Sequence, residues 1–301
     1  MTYLQKIRTR LTIHAHRKVL GLLEGEYAAV QIGRGMDFND LREYVRGDDV
    51  KDIDWKASAR GRQLLVKRYV AERKHTVLLC VSTGRSMAAL NQVGTRSPVS
   101  KRDLSVFVAG LIGYLAVRHG DLVSLVYGDA DQQHIRPRES TELHLERLLA
   151  TIHDATTERS GPADLVALLH YTARVVRRRT ILAIVSDEVS VSDELADVLR
   201  RLAAQHEILF VTIGDADPTA AADSLTDRPL YDIDAGTPIP GWLRGDRRLR
   251  REYAALVGSE EAGLRRRLDQ LGIVHERVRD TDAAITAVFR LLERHRHARR
   301  R

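Results

Sequence analysis

Three side chains in this chain could carry acyl-transfer chemistry. Ser86 lies in Gly84-Arg85-Ser86-Met87-Ala88, directly after an apolar run at residues 76–81, where a nucleophile on a tight strand-to-helix turn would stand. Asp187 and His275 follow in the serine, aspartate, histidine order that one kind of triad uses. Two features weigh against hydrolysis. Ala88 replaces the second glycine of the Gly-x-Ser-x-Gly turn. His275 falls inside residues 273–278, which read as a strand, so its ring could hardly reach a loop serine. A serine hydrolase using Ser86 is the minor alternative, and no catalytic residue is assigned.

A second chemistry is cation binding. Asp48, Asp49, Asp52 and Asp54 crowd one short stretch, and carboxylate oxygens suit a hard divalent ion. Arg42, Arg46, Arg60 and Arg62 lie as near in sequence, so the favoured reading is ion pairs plus a cap on a short helix beginning near Asp49. Trp55, beside the acids, is expected to pack against the main domain, making the segment a rigid docking element. His14, His16, His295 and His297 lack a cysteine or third ligand nearby and read as solvated. Neither Gly-x-x-x-x-Gly-Lys nor Gly-x-Gly-x-x-Gly occurs, so nucleotide binding would have to come from a partner.

The elements that must position these residues alternate in kind. Apolar spacing predicts a helix over residues 4–23 with a break near 14–16, and alternation predicts a strand over 64–70. Buried strands are expected at 76–81, 121–127, 180–185, 208–213 and 273–278, with a short edge strand at 133–135. Helices are expected at 100–119, 142–152, 163–177, 193–204, 247–271 and 282–294. In the first of these, Leu104, Phe107, Val108, Leu111 and Leu115 form one apolar stripe. Residues 214–245 contain four prolines and read as a long surface connection. Such alternation predicts an α/β fold: a doubly wound, mostly parallel, Rossmann-like sheet with an N-terminal helical and strand appendage. Ligands of such sheets sit at the carboxyl ends of the strands, which points to the loops at Ser82, Ser186 and Gly214. The expected organisation is an N-terminal part (1–74), the α/β domain (75–296) and a basic tail (297–301).

Composition narrows the function classes. With 301 residues, 44% apolar and 30% charged, the chain can bury a full core. The uncharged stretch around 107–117, bounded by Asp103 and Arg118, falls short of the roughly 20 residues a spanning helix needs. A lone cysteine, Cys80, precludes an internal disulfide and suits a cytoplasmic protein. Five arginines lie at or beyond residue 294, and without them the net charge of +7 falls to +2. That basicity reads as a frayed terminus, with weak contact to an anionic surface as its sharper alternative and no specific nucleic-acid binding.

Several segments together resemble a known family. Gly25-Glu26, residues 33–38 and 41–44, Gly47-Asp48-Asp49, Ile53-Asp54-Trp55 and Ser58-Ala59-Arg60 are similar to the signature of the DUF58 family, and the strand order that follows resembles its von Willebrand factor A (VWA) type domain. The resemblance implies a non-enzymatic adaptor or scaffold, chaperone-like, working with a MoxR-type AAA+ ATPase in assembly or maturation. Gly47, Asp48, Asp49, Ile53, Asp54, Trp55, Ser58, Ala59 and Arg60 would then be signature or partner-binding positions, with Ser82 and Arg85 on a partner-facing rim. Metal-binding VWA domains hold Mg²⁺ with Asp-x-Ser-x-Ser, a threonine and a later aspartate. Aligned on that pattern, Ser82 stands at the aspartate, Gly84 at the first serine and Ala163 at the threonine, while Ser86 and Asp187 keep the expected type. Two oxygen donors beside Arg85 make a degenerate site, so no cofactor or a weakly held Mg²⁺ is expected.

Overall fold

A computed structural model describes residues 2–14, 40–45, 53–61, 63–68, 74–91, 99–190, 192–220 and 229–298. Six strands form the central sheet: β3 (Thr76–Ser82), β4 (Leu122–Gly128), β5 (Gln133–Glu139), β6 (Ile181–Ser186), β7 (Glu207–Ile213) and β10 (Val274–Val278). Their order is β10-β7-β6-β3-β4-β5, parallel throughout except for β5, which runs antiparallel along β4. Two strand pairs lie outside it: β1 (Asp40–Glu43) with β2 (Leu65–Arg68), and β8 (Leu230–Tyr231) with β9 (Pro238–Ile239).

The pleat sorts the core into two layers. Val77, Leu79 and Val81 of β3 face one cluster, and Leu78 and Cys80 face the other. The first layer is closed by α1 (Tyr3–His14), α3 (Lys101–Arg118), α4 (Glu142–Ala155) and α8 (Thr281–Ala298). The second is closed by α5 (Leu165–Val175), α6 (Asp193–Gln205) and α7 (Arg247–Gln270). Both faces of the sheet are covered, which is why β3, β6 and β7 are apolar without alternation.

The α3 stripe expected from sequence is incomplete. Every residue from Leu104 to Ala116 is buried, because α1, α4 and α8 surround this helix as well as the sheet. The close approach is made at glycines. A Cβ on Gly110 would strike Ile7 Cδ1, and one on Gly113 would come within 2.6 Å of Leu145 Cδ1. α1 therefore belongs to the same apolar layer as the sheet, through Leu4, Ile7 and Leu11. The part of the expected 4–23 helix beyond residue 14 lies outside the described residues.

Other differences have local causes. β5 extends to Glu139, beyond the expected 133–135, since backbone pairing to β4 holds it although it is exposed from residue 134 to its end. The helix expected from 163 starts at Leu165, because the Asp164 carboxylate accepts the Ala167 N–H and caps it. Residues 229–245 are more than a connection: they fold the β8–β9 hairpin and a 3₁₀ turn, Gly241–Leu243. The final helix runs to Ala298, so Arg294 is part of the body rather than of a frayed tail. Its guanidinium donates to the His275 carbonyl and to Glu276, both at 3.0 Å. His295, expected to be solvated, is buried, with Nε2 3.3 Å from Glu207 Oε2. Residues 299–301 lie outside the described residues.

Candidate functional site

The first strand of the sheet, β3, is flanked by β4 on one side and β6 on the other, so chain direction across the sheet reverses there. The carboxyl ends of β3, β6 and β7 converge on this switch point. The loop after β3 is clamped by its neighbours. The Thr83 N–H donates to the Gly128 carbonyl and the Arg85 N–H to the Gly161 carbonyl, both at 2.9 Å. Gly161 in turn donates to Asp129 Oδ2 at 2.8 Å. Gly84 sits so close to Ala163 that an added Cβ would meet its backbone and lie 2.8 Å from its Cβ. A serine at 84 has no room, and Ala163 has no hydroxyl.

Clamping buries the loop expected to form a partner-facing rim. Ser82, Thr83, Ser86 and Met87 are all buried, and between Ser82 and Met87 only Arg85 is partly exposed. Arg85 Nε lies 3.4 Å from Asp234 Oδ1, in the turn of the β8–β9 hairpin. The Asp232 carboxylate shapes that turn by accepting the N–H groups of Asp234 and Ala235 at 2.8 and 2.9 Å. The excursion from 229 to 245 thus reaches back to the end of β3. The Ser86 hydroxyl oxygen is buried and has no hydrogen-bond partner.

Asp187 is not open to solution either. Its carboxylate accepts the Glu188 N–H at 2.7 Å and pairs with the ammonium of Lys101, which also pairs with Asp215. Lys101 begins α3, is 1% exposed, and fixes its own backbone by donating to the Ala89 carbonyl at 2.9 Å. Burying an ammonium is tolerable only when anions surround it, and these two carboxylates do so. Burial, then the neighbouring Asp187 charge, push the Asp215 carboxyl upward against the pull of Lys101. The chain of charges continues outward. The Asp215 N–H donates to Glu188 Oε1 at 3.1 Å, Glu188 pairs with Arg277, and Arg277 lies 3.4 Å from Glu261. Burial and then Arg279 bring Arg277 down to about 10, which leaves it charged near neutrality.

His275 stands apart from this cluster. It pairs in register with Phe210, which pairs with Ile184, which pairs with Cys80, so it lies level with the middle of β3 and three strands away. At about 4.8 Å per strand, that puts it far from Ser86. Its Nε2 is 2.8 Å from Thr212 Oγ1, at the wall of a cavity of about 100 Å³ shared with Leu264 and Arg277. Ser86, Asp187 and His275 are therefore not assembled as a triad. The Cys80 thiol is also inert, since burial pushes it up to about 12.

In the signature segment, a short helix α2 (Trp55–Gly61) is locked to β2. The Asp54 carboxylate caps it by accepting the Ala57 N–H at 3.0 Å. The Asp54 N–H donates to the Leu65 carbonyl at 2.8 Å, and Ser58 Oγ accepts the Leu65 N–H while donating to the Asp54 carbonyl. The described helix thus begins at Trp55 with Asp54 as its cap, and the helix turn expected near Asp49 lies outside the described residues. Ile53 and Ser58 are buried, whereas Ala59 and Arg60 are exposed. Trp55 corrects an expectation: it is 63% exposed, because Ile53 and these hydrogen bonds hold the segment down without the indole. Gly47, Asp48 and Asp49 lie outside the described residues, as does Asp52.

The implied Mg²⁺ site is not met by the residues present. Asp187 is engaged by Lys101, Gly84 and Ala163 offer no hydroxyl, and Ser86 keeps a buried oxygen without a hydrogen-bond partner. Among the described residues, no three His, Cys, Asp or Glu side chains are grouped to hold an ion, and no helix is long and apolar enough to cross a membrane.

The family model described as protein of unknown function DUF58 matches residues 40–262. An uncharacterized protein of Mycobacterium tuberculosis, Rv1480, is 27% identical over 263 residues, covering 87% of this chain and 80% of its own. The uncharacterized protein Mb1516 of Mycobacterium bovis matches to the same extent. Among solved structures, an aerotolerance-related membrane protein from Bacteroides fragilis superposes with a TM-score of 0.45 at 13% identity, over 73% of this chain and 98% of its own. BatB from Bacteroides thetaiotaomicron gives 0.44 at 15% identity, over 73% and 97%. A von Willebrand factor type A protein from Catenulispora acidiphila gives 0.41 at 10% identity, over 74% and 42%. With the family match running from the signature segment into α7, the chain belongs to the DUF58 family.

Proposed function

We propose that this protein is a non-enzymatic, cytoplasmic adaptor that binds a MoxR-type AAA+ ATPase and presents other proteins to it for assembly or maturation. The reading rests on the end of the sheet: its charged side chains are committed to one another, and the buried Ser86 hydroxyl has no base within a hydrogen bond. Such a surface is preorganised for recognition rather than for proton transfer. Around it stand aromatic side chains suited to protein contact. Tyr231 and Trp242, on the excursion that carries Asp234, are 61% and 72% exposed.

The test is affinity purification of the tagged protein from its native host, with ATP and without nucleotide. Recovery of the ATPase in one nucleotide state is expected. Arg85→Glu combined with Trp242→Ala should lower that recovery by about tenfold or more while the melting temperature holds. Failure to recover any AAA+ protein in either state would remove the adaptor reading. Ester turnover abolished by Ser86→Ala would replace it with hydrolysis.

A further inference from the structure

A divalent ion at the end of a parallel sheet neutralises carboxylates from separate loops and ties those loops together. Here one side chain stands in position for both tasks. The Lys101 ammonium, carried on the first turn of α3, pairs with Asp187 after β6 and with Asp215 after β7. It is 1% exposed, and Asp187 is 13% exposed, so the pair is shielded from competing ions in solution. The oxygens that an ion would still need are missing, since Gly84 is pressed against Ala163 and neither bears a hydroxyl. A dication brought beside the ammonium would also meet direct repulsion.

We infer that Lys101 is a tethered cation standing in place of the divalent ion, so that this end of the molecule is assembled at any Mg²⁺ or Ca²⁺ concentration. That it thereby recruits its protein partner without a metal rests on the adaptor reading. The assembly itself does not, and is tested on the purified chain alone.

The wild-type chain should melt at the same temperature in EDTA and in millimolar MgCl₂ or MnCl₂. Lys101→Met keeps most of the aliphatic stem but leaves the largely buried Asp187 carboxylate unpaired beside the more exposed Asp215, and should melt about 10 °C lower. The double variant Lys101→Met with Asp187→Asn removes one stranded charge and should regain about half of that loss. A metal-dependent rise in the wild type that vanishes in Asp187→Asn would overturn the inference. So would a Lys101→Met variant as stable as wild type, or a double variant no more stable than the single. If Lys101→Met fails to fold, the double variant and the wild-type metal comparison still decide. Loss of ATPase recovery with metal-independent melting would count against the adaptor reading alone.

Discussion

Asp54 places its carboxylate at the first turn of α2, so Asp54→Ala should cost about 1 kcal/mol, read as a lower urea midpoint at unchanged slope. Trp55→Ala should stay within about 0.5 kcal/mol of wild type, because the ring is exposed; a drop of several degrees in melting would put the indole back inside. His275 should make stability depend on pH. Burial first, then Arg265 and Arg294, bring it to about 4, below the roughly 6.5 of an unfolded chain. The unfolded chain then takes up the proton first. The contribution is complete above about pH 6.5 and is lost as pH falls toward 4, roughly 3 kcal/mol in all. His206, lowered by burial, acts in the same sense. Denaturant titrations of His275→Gln should give a flatter profile over that range, and curves parallel to wild type would contradict the assignment. At this scale the sequence is only half legible. Asp187 is found because the resemblance to metal-binding VWA domains expects an aspartate there. Lys101 is missed, although a lysine in the first turn of an apolar helix opposes the helix dipole and so implies a compensating anion. Its partners come from positions 187 and 215, and nothing in their spacing pairs them with residue 101.

The loop after β3 and the helix α1 show what elements impose on single positions. Gly84→Ser, the change that would restore a hydroxyl to the degenerate site, drives a Cβ into the Ala163 backbone. It should destabilise by about 1–3 kcal/mol in chemical denaturation and bring no melting response to Mg²⁺. Ile7→Ala should cost about 2–5 kcal/mol, because Ile7 fills the notch at Gly110 on α3; a loss under about 1 kcal/mol would mean that α1 docks only loosely. The strands β3, β6 and β7 are legible since burial on both faces writes them as apolar runs without alternation. The all-round burial of α3 is not, since it depends on three helices distant in sequence. Nor is the β8–β9 hairpin, whose two-residue strands fall among prolines.

For the molecule as a whole, the α/β class and the doubly wound layering follow from the alternation of elements, and the order of the central sheet agrees. What alternation could not supply is how the ends of the strands are wired together, because that wiring consists of charges and backbone contacts rather than apolar period. The basic balance illustrates the same limit: Arg294 counts toward a tail in the sequence but closes α8 onto β10 in the fold. One consequence follows from β5, the exposed antiparallel strand at the border of the sheet. Pro137 interrupts its outer ladder by withholding an N–H, and Arg136 and Arg138 flank it with like charge. Copies crowded side by side on a common machine would find no continuous seam to zip along there, so they would resist cross-β fusion.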